Sequence, residues 1–398
     1  MSRRAYTLVE LLVAMALGLI ILGIGIGVFV NQMMSYQALD LARTAQDASR
    51  DALLFMEPAL RRAGFGIDPR YALDFSNYAC ACTTAPCDCR DHIDAPDEIV
   101  FVARNPLYYW VDDGVSGCST VGGCFSGHAW SVSATSTTSV TVSADVGDQF
   151  LKGRVVQVVC SQGSASTMAT IATTTKATAT GPLDLPLTAA VSGDPYQENN
   201  FSPTCYTQAG VGLFLVDRFR FFVMTFGNTP YLMLDQGLDW NQNGVAPNQD
   251  GVAPGTGDTD DLRPVAANVE DMQVAYLLNV GTPYGFTAPD SNTNWVIGDA
   301  SGVLEEPNPA VAAPVYATAY NDPTRFNMNP ANVVGVRVTL SVRSSQPDPS
   351  QPQGWLGDPL KLSEDRNVQL TNLGRYRRYT ISTSVTLHNM SARSLAVF

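Results

Sequence analysis

The chain has 398 residues, 45% of them hydrophobic and only 15% charged, which excludes a disordered polymer and allows one large domain or two ordinary ones. Its formal net charge of -13 argues against nucleic acid, or an anionic membrane surface, as a partner of the water-exposed part. An acidic chain does suit divalent cations.

Residues Met1 to Ala5 are short and basic, with Arg3 and Arg4. They lead into an apolar stretch, Tyr6 to Val30, in which no residue from Leu11 onward is charged. Twenty helical residues span about 30 Å, the hydrocarbon thickness of a bilayer. The basic residues predict a cytoplasmic N-terminus and an exported C-terminal part. A secretory signal peptide has a shorter apolar run and a small-residue cleavage site after it. This run is longer and passes without a break into a helical pattern. A plain membrane anchor leaves Glu10 unexplained, since a carboxylate inside an apolar span is costly unless it finds a cation. Cleavage after Ala5 creates one, the α-amino group of Tyr6. Gly23 and Gly27 form a small-residue pair that permits close helix contact.

From Asn31 to Ala63 there is no glycine, and no proline before Pro58. Leu41, Ala45, Ala48, Ala52 and Phe55 recur at three- and four-residue steps, predicting one apolar helix face. Asp40, Arg43, Asp47, Arg50 and Asp51 fall between them. The reading is one helix from near Tyr6 to about Ala63, roughly 85 Å long, kinked near Pro58 and stopped by Gly64 and Gly66.

Beyond Ile67, Thr, Ser, Val and turn residues dominate. Strands are predicted at 97–103, 139–143, 153–159, 218–225, 229–234, 269–278, 333–343 and 376–387. In the penultimate strand Val336, Val338, Leu340 and Val342 share one side, with Arg337, Thr339, Ser341 and Arg343 on the other. The expected fold class is α+β: a long N-terminal helix, membrane-spanning in its first half, packed on an antiparallel β-sheet domain with a β-rich insertion. The segments are 1–5, a leader; 6–30, the membrane or filament-core helix; 31–63, its second half; and 64–398, a β-rich domain with a Cys-rich insertion at about 75–207. The Ser/Thr-rich stretch 131–180 reads either as β-structure within that insertion or as mobile loops.

The cysteines are Cys80, Cys82, Cys87, Cys89, Cys118, Cys124, Cys160 and Cys205. All follow the apolar segment, and their even number fits disulfides of an oxidising compartment. The C-x-C pairs suit tetrahedral zinc poorly. The first four allow three connectivities. Cys118 and Cys124 are close enough to pair, and Cys160 and Cys205 are candidates to pair across strands.

The stretch Asp239 to Asp250 places oxygen side chains at loop positions 1, 3 and 5 (Asp239, Asn241, Asn243), glycine at 6 and a carboxylate at 12 (Asp250), with the Val245 carbonyl at 7. That spacing wraps a calcium ion, although the same residue types also favour plain turns. Asp258, Asp260 and Asp261 are candidates to complete this site or a second one. The histidines His92, His128 and His388 have no partner at useful spacing, and neither a phosphate-binding glycine loop nor G-x-S-x-G occurs. No enzymatic activity is expected.

The block Ala5-Tyr6-Thr7-Leu8-Val9-Glu10-Leu11-Leu12-Val13-Ala14, behind its basic leader, resembles the type IV prepilin signature, with Ala5 and Tyr6 replacing the usual Gly and Phe. The resemblance implies cleavage between Ala5 and Tyr6 by a prepilin peptidase, N-methylation of Tyr6, and neutralisation by Glu10 of a neighbouring subunit's N-terminus. It implies a single-pass inner-membrane precursor, an inner-membrane assembly platform and later residence in a pilus. Further blocks resemble PilW-type minor pilins: Arg43 to Arg50 with Arg61-Arg62-Ala63-Gly64-Phe65-Gly66, then Val269-Glu270-Asp271-Met272-Gln273-Val274, then Val336 to Ser344, then Arg377-Arg378-Tyr379-Thr380 to Asn389. That resemblance implies a minor pilin of a priming or tip complex, with other minor pilins, the major pilin and a PilY-type tip adhesin as partners, serving adhesion, twitching motility or DNA uptake. The alternative is a pseudopilin of a type II secretion system.

Overall fold

The computed structural model describes residues 8–74, 95–105, 130–160, 165–191, 195–202, 204–207, 210–244, 261–278, 295–296, 333–351, 355–358, 360 and 374–391. A single helix, α1 (Leu8–Arg61), runs out of the apolar segment without interruption. Fifty-four residues make it about 80 Å long. Its first half is exposed and is long and apolar enough to cross a membrane. Its second half buries Ala45, Ser49, Ala52, Leu53, Met56, Ala59 and Leu60. That stripe differs from the expected one at Phe55, which is 50% exposed and meets Phe221 only edge-on, ring centroids 6.2 Å apart. Ser49 takes a core position because its hydroxyl donates to the Gln46 carbonyl at 2.7 Å, which satisfies it within the helix. The helix runs through Pro58, whose missing N–H leaves a carbonyl on the exposed side, where water can satisfy it.

The helix ends in a turn built from its own sequence. Gly64 has φ +75°, its N–H donates to the Val102 carbonyl at 2.9 Å, and a Cβ there would lie 2.7 Å from the Met390 sulfur. The Phe65 carbonyl accepts the Arg104 N–H at 2.8 Å. The turn therefore docks the helix end on strand β1 (Ile99–Arg104), with the short α2 (Pro69–Ala72) between them in sequence.

The remaining strands are β2 (Trp130–Thr135), β3 (Ser139–Ala144), β4 (Gln149–Phe150), β5 (Val155–Val159), β6 (Ser166–Thr170), β7 (Thr175–Lys176), β8 (Gly181–Pro186), β9 (Gly212–Phe226), β10 (Thr229–Asp235), β11 (Arg263–Ala267), β12 (Val269–Leu278), β13 (Trp295–Val296), β14 (Val333–Arg343) and β15 (Arg378–Thr386). A final short helix, α3, covers His388–Ser391. The registered pairs among the described residues are antiparallel. Instead of one sheet, two larger ones form. The first runs β11-β10-β9-β2-β3-β8, with β1 and β5 also on β9 and β6 on β5; the second runs β13-β12-β14-β15. The second half of α1 packs on β14 and β15 of one sheet and on β11 of the other. The architecture is α+β and consistent with a pilin-like fold. The Ser/Thr-rich stretch forms strands β2 to β7, so the β-structured reading holds there.

Strand β9 organises the domain. It is 15 residues long and serves two cores. Its C-terminal half pairs with β1 and β10 and places Phe219 and Phe221 in the core beneath α1, beside Val336, Val338, Leu340 and Val342. Its N-terminal half pairs with β5 and β2 and places Leu213 and Leu215 in a second core with Trp130, Val140, Phe150 and Val156. The insertion is thus an extension of the helix-bearing sheet.

Candidate functional site

The blocks that stand out in the sequence meet at one polar junction, and Arg62 of the first block reaches a second. At the first, Glu270 of β12 receives both Nε and Nη2 of Arg378, at 2.6 and 3.1 Å, and pairs with Arg343 at 3.4 Å. These three residues lie in three separate sequence blocks, and the structure brings them together at one end of the second sheet. The Arg378 side chain is only 2% exposed, so the two-pronged pairing with a carboxylate meets its hydrogen-bonding needs. Asn389 of α3 closes the other end: its side-chain amide donates to the Arg61 carbonyl at 3.1 Å and the Ala63 carbonyl at 3.4 Å, covering backbone acceptors that the end of α1 leaves open.

The second junction centres on Asp217 of β9. Its carboxylate accepts from Arg62 at 3.1 Å, from Asn105 at 2.8 Å and from Arg154 at 2.7 Å. Arg62 follows α1, Asn105 follows β1, and Arg154 opens β5 in the insertion. One buried carboxylate therefore ties helix, sheet and insertion at a single point. Arg104 reinforces it, donating to Gln157 of β5 at 2.8 Å while its guanidinium lies 4.0 Å from the Phe214 ring centroid. Sequence reasoning missed Asp217 and Arg154, because the partners that explain these charges lie 63 to 155 residues away.

Glu10 sits in the first turn of α1, on an exposed face. A carboxylate there is favoured by the positive end of the helix dipole. Ala5 and Tyr6, the expected processing and methylation positions, lie outside the described residues.

The 239–244 loop packs against the insertion. The Asp239 N–H donates to the Lys152 carbonyl at 3.1 Å, and Gly153 is required there, since its φ is +84° and a Cβ would fall 1.7 Å from the Gly237 carbonyl oxygen. The Asp239 carboxylate is buried and accepts the N–H groups of Asn243 at 3.1 Å and Gly244 at 3.0 Å. The Asn241 side-chain oxygen accepts the Asn243 N–H at 2.9 Å. Asp261 reaches in from later in the chain, with one oxygen accepting from the N–H groups of Trp240 at 2.7 Å and Asn241 at 3.0 Å. So Asp239, Asn241, Asn243 and Asp261 are brought together, while Val245, Asp250, Asp258 and Asp260 lie outside the described residues. Among the described residues, no group of three or more His, Cys, Asp or Glu side chains forms a metal cluster. The side-chain oxygens of Asp239, Asn241 and Asp261 accept backbone N–H groups within this loop, and oxygen ligands are the kind a hard cation takes.

Cys160, just after β5, and Cys205, in the 3-10 turn Thr204–Thr207, form a disulfide with Cα atoms 5.5 Å apart, inside the insertion core. Cys80, Cys82, Cys87, Cys89, Cys118 and Cys124 lie outside the described residues.

Residues 1–26 match the family model of the prokaryotic N-terminal methylation motif. This motif, opening directly into a membrane-length helix, supports a prepilin-like, membrane-anchored protein of the pilin or pseudopilin kind. Neither a curated protein nor a solved structure matches the chain.

Proposed function

We propose that the chain is a minor pilin of a type IV pilus, part of the priming or tip complex. The N-terminal methylation motif at the head of an exposed apolar helix carries this reading. The four blocks resembling PilW-type proteins supply the finer part of it. After cleavage between Ala5 and Tyr6 by a prepilin peptidase, the helix leaves the inner membrane and joins other pilins on the assembly platform. The Glu10 carboxylate neutralises the methylated Tyr6 amine of the next subunit. The large domain, with its insertion fused along β9, suits an end of the filament, where bulk does not obstruct further subunits and a PilY-type adhesin can sit. Within that domain, the oxygen donors around Asp239 would hold calcium, which would fix the loop against the insertion.

Glu10→Ala tests the reading. The variant is expected to insert in the membrane at wild-type levels and to disappear from sheared filaments. Normal incorporation would refute the role of Glu10. Neighbouring genes encoding a secretion system instead of pilus components would move the assignment to a pseudopilin.

A further inference from the structure

Four strands end the two sheets, and three of them are blunted in the ways that protect a sheet edge. Strand β8 carries Pro182 and Pro186, β11 carries Pro264 and a register shift against β10, and β13 has only two residues. Strand β15 has none of these features. Its nine residues, Arg378–Thr386, include neither proline nor glycine, and no charge after Arg378. Tyr379, Ile381 and Val385 pack into the core beneath α1, while Ser382, Ser384 and Thr386 are exposed on the opposite face. The register also fixes where the backbone groups of β15 point. At one end of the β14–β15 pair the Ser344 N–H donates to the Arg377 carbonyl, and at the other the Leu387 N–H donates to the Val334 carbonyl, both at 2.8 Å. Both contacts continue the same antiparallel register, in which hydrogen-bonded pairs recur at every second residue. Tyr379, Ile381, Thr383 and Val385 therefore turn their N–H and C=O groups toward β14. Thr380, Ser382, Ser384 and Thr386 turn theirs to the outer edge, where no strand pairs with them among the described residues.

We propose that the outer edge of β15 takes an added strand from a second, different protein. A row of alternating backbone donors and acceptors at strand spacing is matched in full by another extended backbone. The partner segment has apolar and polar side chains in alternation. Its apolar residues lie on the α1 side beside Ile381 and Val385, and its polar residues lie beside Ser382 and Ser384. A second copy of this chain does not fit the edge. Antiparallel pairing of two β15 edges needs a two-fold axis normal to the sheet, which reverses the direction of α1. The two apolar helix halves would then run in opposite directions, although both must enter one membrane from the same side. Parallel pairing of the two edges turns one sheet over and sets Ile381 of one copy on the same face as Ser382 of the other. The inference needs the membrane anchor for this exclusion, and it stands whether the assembly is a pilus or a pseudopilus.

The test uses the full-length chain in mild detergent and a capped, labelled peptide with the β14 sequence from Val336 to Arg343, whose alternation already matches β15. Fluorescence anisotropy is expected to show saturable binding of one peptide per chain. A peptide of the same composition with the alternation destroyed is expected to bind about tenfold more weakly or worse. Ser382→Pro and Ser384→Pro each remove an N–H that points outward and leave the bonds to β14 in place. Each variant is expected to stay folded and to weaken peptide binding by about tenfold or more. Hydrogen exchange in the wild-type chain decides the matter without any variant. The amides of Thr380, Ser382, Ser384 and Thr386 are expected to exchange faster than those of Ile381, Thr383 and Val385, and to slow by about tenfold or more when the peptide is present. Five results would each overturn the proposal: no binding, equal binding of the two peptides, or binding that survives both prolines; outer amides already protected without peptide, which would mean that the chain covers its own edge; and self-association that both prolines abolish, which would make the occupant a second copy.

Discussion

Replacing Asp217 with alanine should loosen the insertion from the helix-bearing core, and the structure sets the size of the effect. Asp217 is buried, and the Arg154 guanidinium it holds at 2.7 Å has a side chain only 7% exposed. Removing the carboxylate strands that cation where water cannot reach it, at a cost of about 3–5 kcal/mol. Arg62 adds little, because its side chain is 35% exposed and can turn to solvent. Asn105 loses one hydrogen bond, about 1 kcal/mol. The assay is urea denaturation of the full-length chain in detergent, followed by the fluorescence of tryptophans, among them Trp130, which packs edge-on to Phe150 inside the insertion core. With a slope of roughly 3 kcal/mol per molar urea, the midpoint should fall by more than about 1 M. Arg154→Met combined with Asp217→Leu should regain most of the loss, since a buried pair replaced by apolar groups of similar size is close to neutral. A single-variant cost below about 1 kcal/mol, or a double variant no better than Asp217→Ala, would show that Asp217 does not hold the junction.

Cys160→Ser with Cys205→Ser should cost about 4 kcal/mol, because the bridge closes a loop with a sequence separation of 45; denaturation of the oxidised protein against the variant measures it. Calcium at millimolar concentration should raise the melting temperature by about 2–4 °C, and the rise, though not the whole stability, should vanish in Asp239→Ala; an unchanged melting temperature in the parent would leave the loop an ordinary turn. Asp348 should give an acid-labile contribution. Burial alone would raise its pKa, but donors from Ser350 and Arg377 outweigh burial and hold it below the usual aspartate range. Because the folded form is the stronger acid, this stability is full above the unfolded pKa, about 3.9, and disappears as the pH falls through the lower folded value. Melting temperatures recorded from pH 5 downward should fall less steeply in Asp348→Asn than in the parent.

Much of this fold is legible because two periodicities are strong. The apolar run and the three-to-four-residue pattern after it mark the C-terminal end of α1 within about two residues. Strict alternation marks β14, whose bounds agree with expectation. Where periodicity fails, so does the reading. The segment Gly212 to Asp217 was not expected to be strand, because Leu213, Leu215 and Val216 are buried in two different cores and leave no polar side to alternate. Phe55 has the right spacing but the wrong rotation, and only the position of the sheet below the helix reveals that Ser49 and Met56 are inside instead. Thr339 and Ser341 lie on the polar side of β14 yet are buried, and they satisfy one another's neighbours across the strand pair: Thr339 donates to Ser382 at 3.0 Å, and Ser341 bonds Thr380 at 2.9 Å.

Several contacts made by the sequence blocks that resemble minor pilins hold the helix-bearing part of the domain together. Gly64 and Phe65 dock the helix end on β1, Asn389 covers its last carbonyls, and Glu270 gathers Arg343 and Arg378 at the end of the second sheet. The first two fix the end of α1 and the third ties β12, β14 and β15 together, and none of these contacts reaches strands β2 to β8. The insertion instead attaches through Asp217, Arg154, Arg104 and Gln157, residues outside those blocks except as partners of Arg62. Two sets of constraints therefore act on one strand. The C-terminal half of β9 must fit α1, and the N-terminal half must fit the insertion core. A change in the insertion core at Leu213 or Leu215 should then leave filament entry intact, whereas a change at Phe219 or Phe221, beneath α1, should not. On the proposed pilin reading, comparing the two classes for surface exposure on filaments separates the half of the strand that supports α1 from the half that supports the insertion.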